Sequence, residues 1–518
     1  MRHIQLYDTT LRDGSQAEGV AFSLQDKLQL ARKLDSLGFD FIEGGFPGSN
    51  EKDAEFFQKI AEKPLKTTTV CAFGMTRRKG IKPENDEGLR SLLDSQAPII
   101  TIVGKSSAFQ VVEVINAKRD ENLNMVAETV DFFRKHNRRV FFDAEHFFDG
   151  WKDDPQYSLS VLKTAVEAGA EIIVLCDTNG GSLPELIHAA MRSVVGALGV
   201  PVGIHAHDDC GLAVANSLTA VDAGASQVQG TINGIGERCG NANLITLAAN
   251  LALKKQEAYS VLRPDSLVYL TELSRFAYET INFQIPLHDP FVGKSAFAHK
   301  GGMHVSGVAR NSAAYEHISP ELVGNSRRIL ISELAGRSNI TAKTKNLNLD
   351  AKTTKKILDE VVKKENQGYQ YEAAEGSFDL IVKKCTGTFK EHFKRLNYHV
   401  YVESNEQGVL VTVATVKLKI GDKIQHEVAD GDGPVAALDS ALRKALLPIY
   451  PSLSEMRLID FKVRVINSEA ATDAAVRVVI ESEDKDGNSW GTIGADENVI
   501  EASWLALVDS IEYKLNRP

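Results

Sequence analysis

The chain has 518 residues, a formal net charge of −10 and 43% hydrophobic residues, too long for one core and predictive of two or three domains. Mild acidity without any dense run of Lys or Arg argues against a nucleic-acid partner. The first residues lead straight into a strand pattern, with no long apolar stretch of the kind a signal peptide or membrane span needs, so a cytoplasmic protein without a membrane partner is expected. Five cysteines, Cys71, Cys176, Cys210, Cys239 and Cys385, make neither a CxxC pair nor a disulfide framework. Cys176 and Cys210 adjoin apolar runs and are expected to be small buried thiols.

From residue 4 to about 255, short apolar runs alternate with amphipathic stretches eight times. Strands are expected near 4–7, 39–43, 68–72, 99–103, 140–143, 171–175, 202–205 and 227–232. The first helix has legible ends: Ser23 and Asp26 resemble a capping box, Leu24, Leu28, Leu30 and Leu34 supply an apolar face, and Gly38 stops it. Further helices are expected at about 51–62, 86–95, 121–136, 157–168, 184–198, 211–223 and 241–254. Eight strand–helix units in roughly 250 residues fit a closed α/β fold, the (β/α)8 TIM barrel, better than an open doubly wound sheet.

Between 256 and 372 the alternation stops. A helical piece near 265–282 precedes His299 and His304, which flank Gly301-Gly302 and read as a flexible loop with one functional imidazole, His299 being the packing residue. Another helix is expected near 350–363, and residues 365–368 read as a boundary. From about Phe378 the pattern turns to strands such as 409–418 and 475–481. Residues 431–442 recur in outline at 496–507, with Ala437, Ala441 and Leu442 matching Ala502, Ala506 and Leu507. This is an α+β module with internal pseudo-symmetry, suited to binding or assembly. The expected domains are a catalytic barrel at 1–260, a helical linker at 261–372 that completes the active site, and a C-terminal regulatory module at 373–518.

Active sites of the barrel fold lie at the carboxyl ends of its strands. There the sequence places Arg12 and Asp13, Glu43, Lys105 and Ser106, Asp143 and Glu145, Asp177 to Asn179, His205 and His207, then Asn233, Glu237 and Asn241. His205 and His207 are two apart on a strand and face the same way. With Asp13 they make two imidazoles and a carboxylate, a set that suits a divalent ion polarising a substrate oxygen.

DTTLRDG at 8–14, HAHDD at 205–209, GTINGIGERCGNANL at 230–244 and the trailing repeat together resemble the metal-dependent Claisen-condensing synthases, the family of 2-isopropylmalate, homocitrate and citramalate synthases. The resemblance covers essentially the whole chain. IEGGFPGSN at 42–50, VGKSSAF at 103–109, DAEHFFDG at 143–150 and LCDTNGG at 175–181 are most similar to citramalate synthases of the longer bacterial type. One departure is Asp208, where the family usually has Asn; a second negative group near the ion would bear on metal preference.

The resemblance implies transfer of the acetyl unit of acetyl-CoA to the keto carbon of pyruvate, giving citramalate and CoA, the first step of a threonine-independent isoleucine route. It implies a divalent metal (Mg, Mn, Zn or Co) on Asp13, His205 and His207, with Asn241 as fourth ligand or as a contact to the ligands. Arg12, a fixed cationic fork, stabilises the alkoxide. By the same resemblance Thr178 is expected to bond the oxo-acid carboxylate, with Asn179 and Phe46 in the same substrate pocket, and Glu145, the first choice for the base, matches a family position assigned either to base catalysis or to substrate recognition. His304 and Tyr315 match family residues that complete the site from a neighbouring protomer, so a homodimer is expected, with isoleucine the effector of the C-terminal module. The alternatives are a 2-isopropylmalate or homocitrate synthase, a lyase or aldolase on the same barrel, and a non-catalytic amino-acid sensor.

Overall fold

The computed structural model describes residues 1–330, 349–371, 374–404, 408, 410–466 and 475–517. It divides into two compact units, Met1–Phe297 with Ile318–Ser326, and Ala298–His317 with Arg327–Pro518.

In the first unit eight parallel strands close on themselves: β1 (Gln5–Asp8), β2 (Phe41–Gly45), β3 (Thr69–Met75), β4 (Ile99–Lys105), β5 (Arg139–Glu145), β6 (Ile172–Asp177), β7 (Val202–Ala206) and β8 (Gln227–Gly230). Closure runs through β8 against β1, with Gln5 opposite Gln227 and Asp8 opposite Gly230. The helices between them begin and end where local chemistry dictates. Ser23 and Asp26 form the reciprocal capping box of helix Leu24–Leu37, and Gly38, at φ +84°, turns the chain toward β2. Helix Pro155–Ala168 starts on a proline, its free amides served by Asp154, which accepts from Tyr157 N–H at 3.0 Å.

Alternation along the strands divides the apolar residues into two sets. One set, with Leu6, Ile42, Ile100, Phe142, Ile173 and Val228, joins the continuous core shared with the helices. The other forms a separate cluster of Tyr7, Phe41, Cys71, Ile99, Phe141, Ile172, Val174 and Cys176, in which Phe41 and Phe141 meet edge to face at 5.2 Å. Truncating Phe141 to Ala would remove both its burial and that contact, a cost of about 3–5 kcal/mol. Two residues further along the same strand faces stand Glu43, Thr101, Asp143, His205 and Gln229, all buried. The lumen thus has a floor that is apolar except at Gln227, and a polar ceiling.

The eight expected strands and their helices are present, with ends displaced by a few residues. Helix Phe147–Asp153, directly after β5, was not expected from the sequence; it spans only seven residues, too few for a helical period to register. Cys176 is buried as expected, but Cys210 is exposed, because β7 ends at Ala206 and Cys210 lies in the turn beyond. Among the described residues no helix is long and apolar enough to cross a membrane.

In the second unit the expected loop around His304 is instead helix Gly302–Arg310, which buries Val305 and Val308, three residues apart on one face. Helix Ala351–Glu365 follows, capped by Asp350. Phe378 lies in helix Glu375–Thr386 rather than at the start of the strands, because the apolar run Phe378, Leu380, Ile381, Val382 buries a helical stripe. Then come two copies of three antiparallel strands and a helix: β9 (Lys394–Ser404), β10 (Leu410–Ile420) and β11 (Lys423–Gly431) with helix Pro434–Leu446, then β12 (Met456–Val465), β13 (Val476–Asp484) and β14 (Ser489–Asp496) with helix Val499–Leu515. The repeated Ala437, Ala441, Leu442 and Ala502, Ala506, Leu507 share one core. Val409, where the sequence starts a strand, and residues 372 and 373, at its domain boundary, lie outside the described residues.

Candidate active site

The turn after β1 is built by its own threonines. Arg12, Asp13 and Gly14 each donate N–H to Thr9 O, while Thr10 Oγ1 donates to Asp8 Oδ2 at 2.7 Å and accepts from Ile232 N–H at 2.8 Å. The tight turn aims Asp13 into the lumen. His205 lies within β7 and His207 just past it, where a bridge to Asn241 steadies the chain. His205 Nε2 is 3.2 Å from Asp13 Oδ2 and 3.3 Å from His207 Nε2, and the three ligand atoms lie within 4.8 Å of one another.

A proton assignment follows from the next contact. Gln229 Nε2 donates to Asp143 Oδ1 at 3.0 Å, so its Oε1 faces His205 Nδ1 at 2.9 Å and accepts that proton. Burial works against a charge on His205, but Asp13, 3.2 Å from Nε2, outweighs it and holds a proton there; release of that proton to a bound cation would leave an Nε2 lone pair facing Asp13 and His207, which suits a ligand. His207 Nδ1 and both amide atoms of Asn241 are buried without a partner, an expensive arrangement unless a further group satisfies them. Burial, then the neighbouring His205, press His207 down to about 4 and keep it neutral. Burial works against the charge of Asp13, but Arg12 and His205 outweigh it and hold its carboxyl well below the usual carboxylate range. A neutral imidazole, a carboxylate and unpaired amide atoms fit a divalent cation, with Asp13, His205 and His207 able to hold it and Asn241 beside them.

Arg12 is fixed from three sides. Its Nε donates to Glu43, its guanidinium lies 3.9 Å over the Phe73 ring, and Nη1 is 3.5 Å from Asp13 Oδ2. Glu43 Oε2 in turn accepts from Tyr7 Oη at 2.8 Å, and Tyr7 meets Thr101 Oγ1 at 2.6 Å. Burial and the charge of Glu43 push Asp143 up to about 7, and burial does the same to Asp8.

Arg12, Asp13, Asp143, His205 and His207 face a cavity of about 310 Å³ that also reaches Glu145, Thr178 and Arg238. Phe46, Met75 and Val103 form an apolar wall shared, with Glu145, by an adjoining cavity of about 470 Å³. Gly45, at φ +143°, has no room for a Cβ: one would stand 2.4 Å from Asp53, whose carboxylate accepts from Phe46 N–H at 2.8 Å and sets that ring on the wall. Glu145 closes β5 with Oε2 2.5 Å from Lys105 Nζ. Thr178 Oγ1 accepts from His146 N–H at 2.8 Å.

Asp13, Arg12, His205, His207, Glu145, Thr178 and Phe46 therefore converge on one mouth, with Asn241 bridged to His207. Asn179 is exposed and donates to Asp149 at 2.7 Å, away from the cavity wall. Asp208 accepts at 2.8 Å from the N–H of Ala213, the first residue of helix Ala213–Ala223. His304 and Tyr315 belong to the second unit, where their rings stack at 4.2 Å and 24°. Sequence reasoning missed Gln229, Tyr7 and Phe73. Gln227 and Gln229 were a readable signal, two polar residues at strand spacing in an otherwise apolar segment.

Three family models match the chain: HMGL-like over residues 3–275, homocitrate synthase post-HMGL domain-like over 291–368, and LeuA allosteric (dimerisation) domain over 372–515. Curated relatives align end to end. An (R)-citramalate synthase of Aquifex aeolicus is 50% identical over 99% of this chain and 98% of its own length, and one of Geobacter sulfurreducens is 47% identical over 100% and 98%. A probable 2-isopropylmalate synthase of Methanopyrus kandleri is more distant, at 34% over 98% and 97%. With the barrel, its paired histidines and the repeated C-terminal module all accounted for, the chain belongs to the HMGL-like family, among the (R)-citramalate synthases.

Proposed function

We propose that the protein condenses acetyl-CoA with pyruvate and hydrolyses the product to (R)-citramalate and CoA, opening a threonine-independent route to isoleucine. The observation that carries this reading is the convergence of Asp13, His205 and His207 beside a clamped Arg12, in a chain half identical to an (R)-citramalate synthase along its length. A divalent ion held by Asp13, His205 and His207 would supply Lewis acidity toward the keto oxygen.

The protein groups do the remaining work. Thr178, on the cavity wall, offers a hydroxyl to the oxo-acid carboxylate. Glu145, at the border of the two cavities, takes a proton from the acetyl methyl group, and the resulting carbanion equivalent forms the new C–C bond to the keto carbon. The electron pair released goes to the keto oxygen, where Arg12, already held by Glu43 and Phe73, meets the growing negative charge without reorganising. Water then cleaves the thioester and frees CoA, with His304 and Tyr315 serving that half of the reaction. Phe46, Phe73, Met75 and Val103 bound the space for the acceptor side chain, and their bulk suits a methyl group. The barrel at 1–260, the linker at 261–372 and the regulatory module at 373–518 divide this labour in a cytoplasmic homodimer, with isoleucine as the effector.

A CoA-release assay with Mg²⁺ or Mn²⁺ across several 2-oxo acids tests the reading. Pyruvate is expected to be the fastest acceptor; faster release with 2-oxoisovalerate would assign the chain to 2-isopropylmalate synthesis instead.

A further inference from the structure

We infer that Gly307 and Glu316 are positioning residues for the His304–Tyr315 pair: Gly307 is the bare floor on which the tyrosine ring lies, and Glu316 is the anchor that fixes its backbone. The inference rests on the reading above, in which that pair serves the reaction.

His304 lies in the first turn of helix Gly302–Arg310, and Gly307 is three residues on, on the same face. A Cβ at Gly307 would stand 2.4 Å from Tyr315 Cε2 and 2.9 Å from Cδ2, so the ring lies directly on the helix backbone and across to His304. The stack is not produced by burial, since Tyr315 is 41% exposed and His304 is exposed as well. An exposed ring ordinarily samples several rotamers. Its geometry here is set by the floor beneath it and by the chain that carries it.

That chain is tied down at the next residue. The Glu316 side chain is only 2% exposed, and Oε1 meets His299 Nε2 at 3.1 Å and accepts from Arg327 Nε at 2.6 Å, while Oε2 takes a second bond from the same guanidinium. His299 is fixed in turn by pairing of Ala298–His299 with Arg328–Ile329. Backbone bonds from Asn311 N–H to Gly307 O at 2.9 Å and from Tyr315 and Glu316 N–H to Ser312 O, at 3.1 and 2.9 Å, join helix, turn and anchor. A fork-shaped charge pair of this kind constrains direction as well as distance.

Gly307→Ala tests the proposal. Alanine favours a helix interior, so helix stability offers no reason for loss, yet the methyl group must lift the ring. The expected result is a fall in kcat of about tenfold or more, since misplacement by about an ångström is costly in a preorganised site, with the KM for pyruvate within about twofold. In ¹³C-histidine-labelled protein the His304 ring resonance, shifted by the stacked tyrosine, should move toward its position in Tyr315→Ala. In a Tyr315→Ala background Gly307→Ala should cost nothing more. If Gly307→Ala leaves both kcat and the resonance unchanged, or costs the same factor without Tyr315, the inference is overturned. Glu316→Gln keeps the shape and weakens the anchor; it should produce the same kcat loss and resonance shift in smaller measure, and its silence in both would count equally against the anchor even if the alanine variant failed to fold. His304→Ala separates the two levels. An active His304→Ala removes the underlying reading, whereas an inactive one beside a normal Gly307→Ala overturns the positioning claim alone.

Discussion

Replacing Gln229 by Met probes the tautomer argument without touching a proposed metal ligand. The change keeps length and volume but removes both amide contacts, leaving His205 Nδ1–H and an Asp143 oxygen unpaired in a region where all three side chains are buried. Each of the two orphaned groups costs about 1–3 kcal/mol of folding stability, so a loss of about 2–6 kcal/mol is expected. The effect on metal is separate. Without an acceptor on Nδ1, the proton is free to move to Nε2 and the ring to turn, and loss of such an orienting partner typically weakens metal binding 10- to 100-fold, or about 1.4–2.8 kcal/mol. Calorimetric titration of Mn²⁺ into the folded variant measures this directly, with urea unfolding for the stability term. A variant that binds Mn²⁺ as wild type does would refute the claim that Gln229 selects the His205 tautomer.

The remaining predictions concern other parts of the barrel. Burial would raise Asp35, but N–H groups of Lys66, Thr67 and Thr68 at 2.8–2.9 Å hold it down at about 2. A folded-state value below the unfolded one stabilises above about pH 4 and is lost as pH falls toward 2. Asp35→Asn should therefore lower the urea midpoint by the equivalent of about 2 kcal/mol at pH 6 and by visibly less at pH 3.5. Arg12→Lys keeps the charge but loses the fork, and kcat should fall about 10²- to 10³-fold, with pyruvate KM changed far less, in steady-state assays. Val103→Ala opens the wall near the acceptor, so the kcat/KM ratio of 2-oxobutanoate to pyruvate should rise about tenfold, the worth of a methylene; an unchanged ratio would place the side chain elsewhere. Asp208→Asn should leave Mn²⁺ affinity within about twofold, because the side chain accepts from Ala213 N–H, a bond that an Asn amide oxygen keeps.

Much of the barrel could be read from sequence because its signals are local. The capping box at Ser23 and Asp26, the stop at Gly38 and the period-two strands each need only a few neighbouring residues. The triad was legible for the same reason: His205 and His207 share a strand face whatever lies around them, and Asp13 had to follow a strand to reach them. What escaped depends on partners far apart in the chain. Tyr7 supports Glu43, Glu43 supports Arg12, and Gln229 reaches Asp143 across 86 residues and His205 across 24; no spacing rule states such pairings. Asp208 likewise has a task that the HAHDD motif does not announce, since its carboxylate accepts from Ala213 N–H five residues on. The helix around His304 was missed because two adjacent glycines signal a turn, whereas burial of Val305 and Val308 outweighs their weak propensity.

The balance of charge explains why this mouth suits a dication rather than merely tolerating one. Asp8, Asp13, Glu43 and Asp143 are all buried here, against one guanidinium and a histidine shared with Asp13. Such a cluster would be costly in a low-dielectric interior, and the upward push on Asp8 and Asp143 registers that cost. Glu43 cannot be dispensed with, because it orients Arg12, and Asp143 cannot, because it orients Gln229 and through it His205. Each is needed for geometry and each adds negative potential at the same spot. A divalent cation held by Asp13, His205 and His207 would meet both demands, since its charge would offset the buried carboxylates that the network requires. Structural support for Arg12 and the negative potential beside the triad thus have the same origin, Glu43 and Asp143 set two positions above the lumen floor.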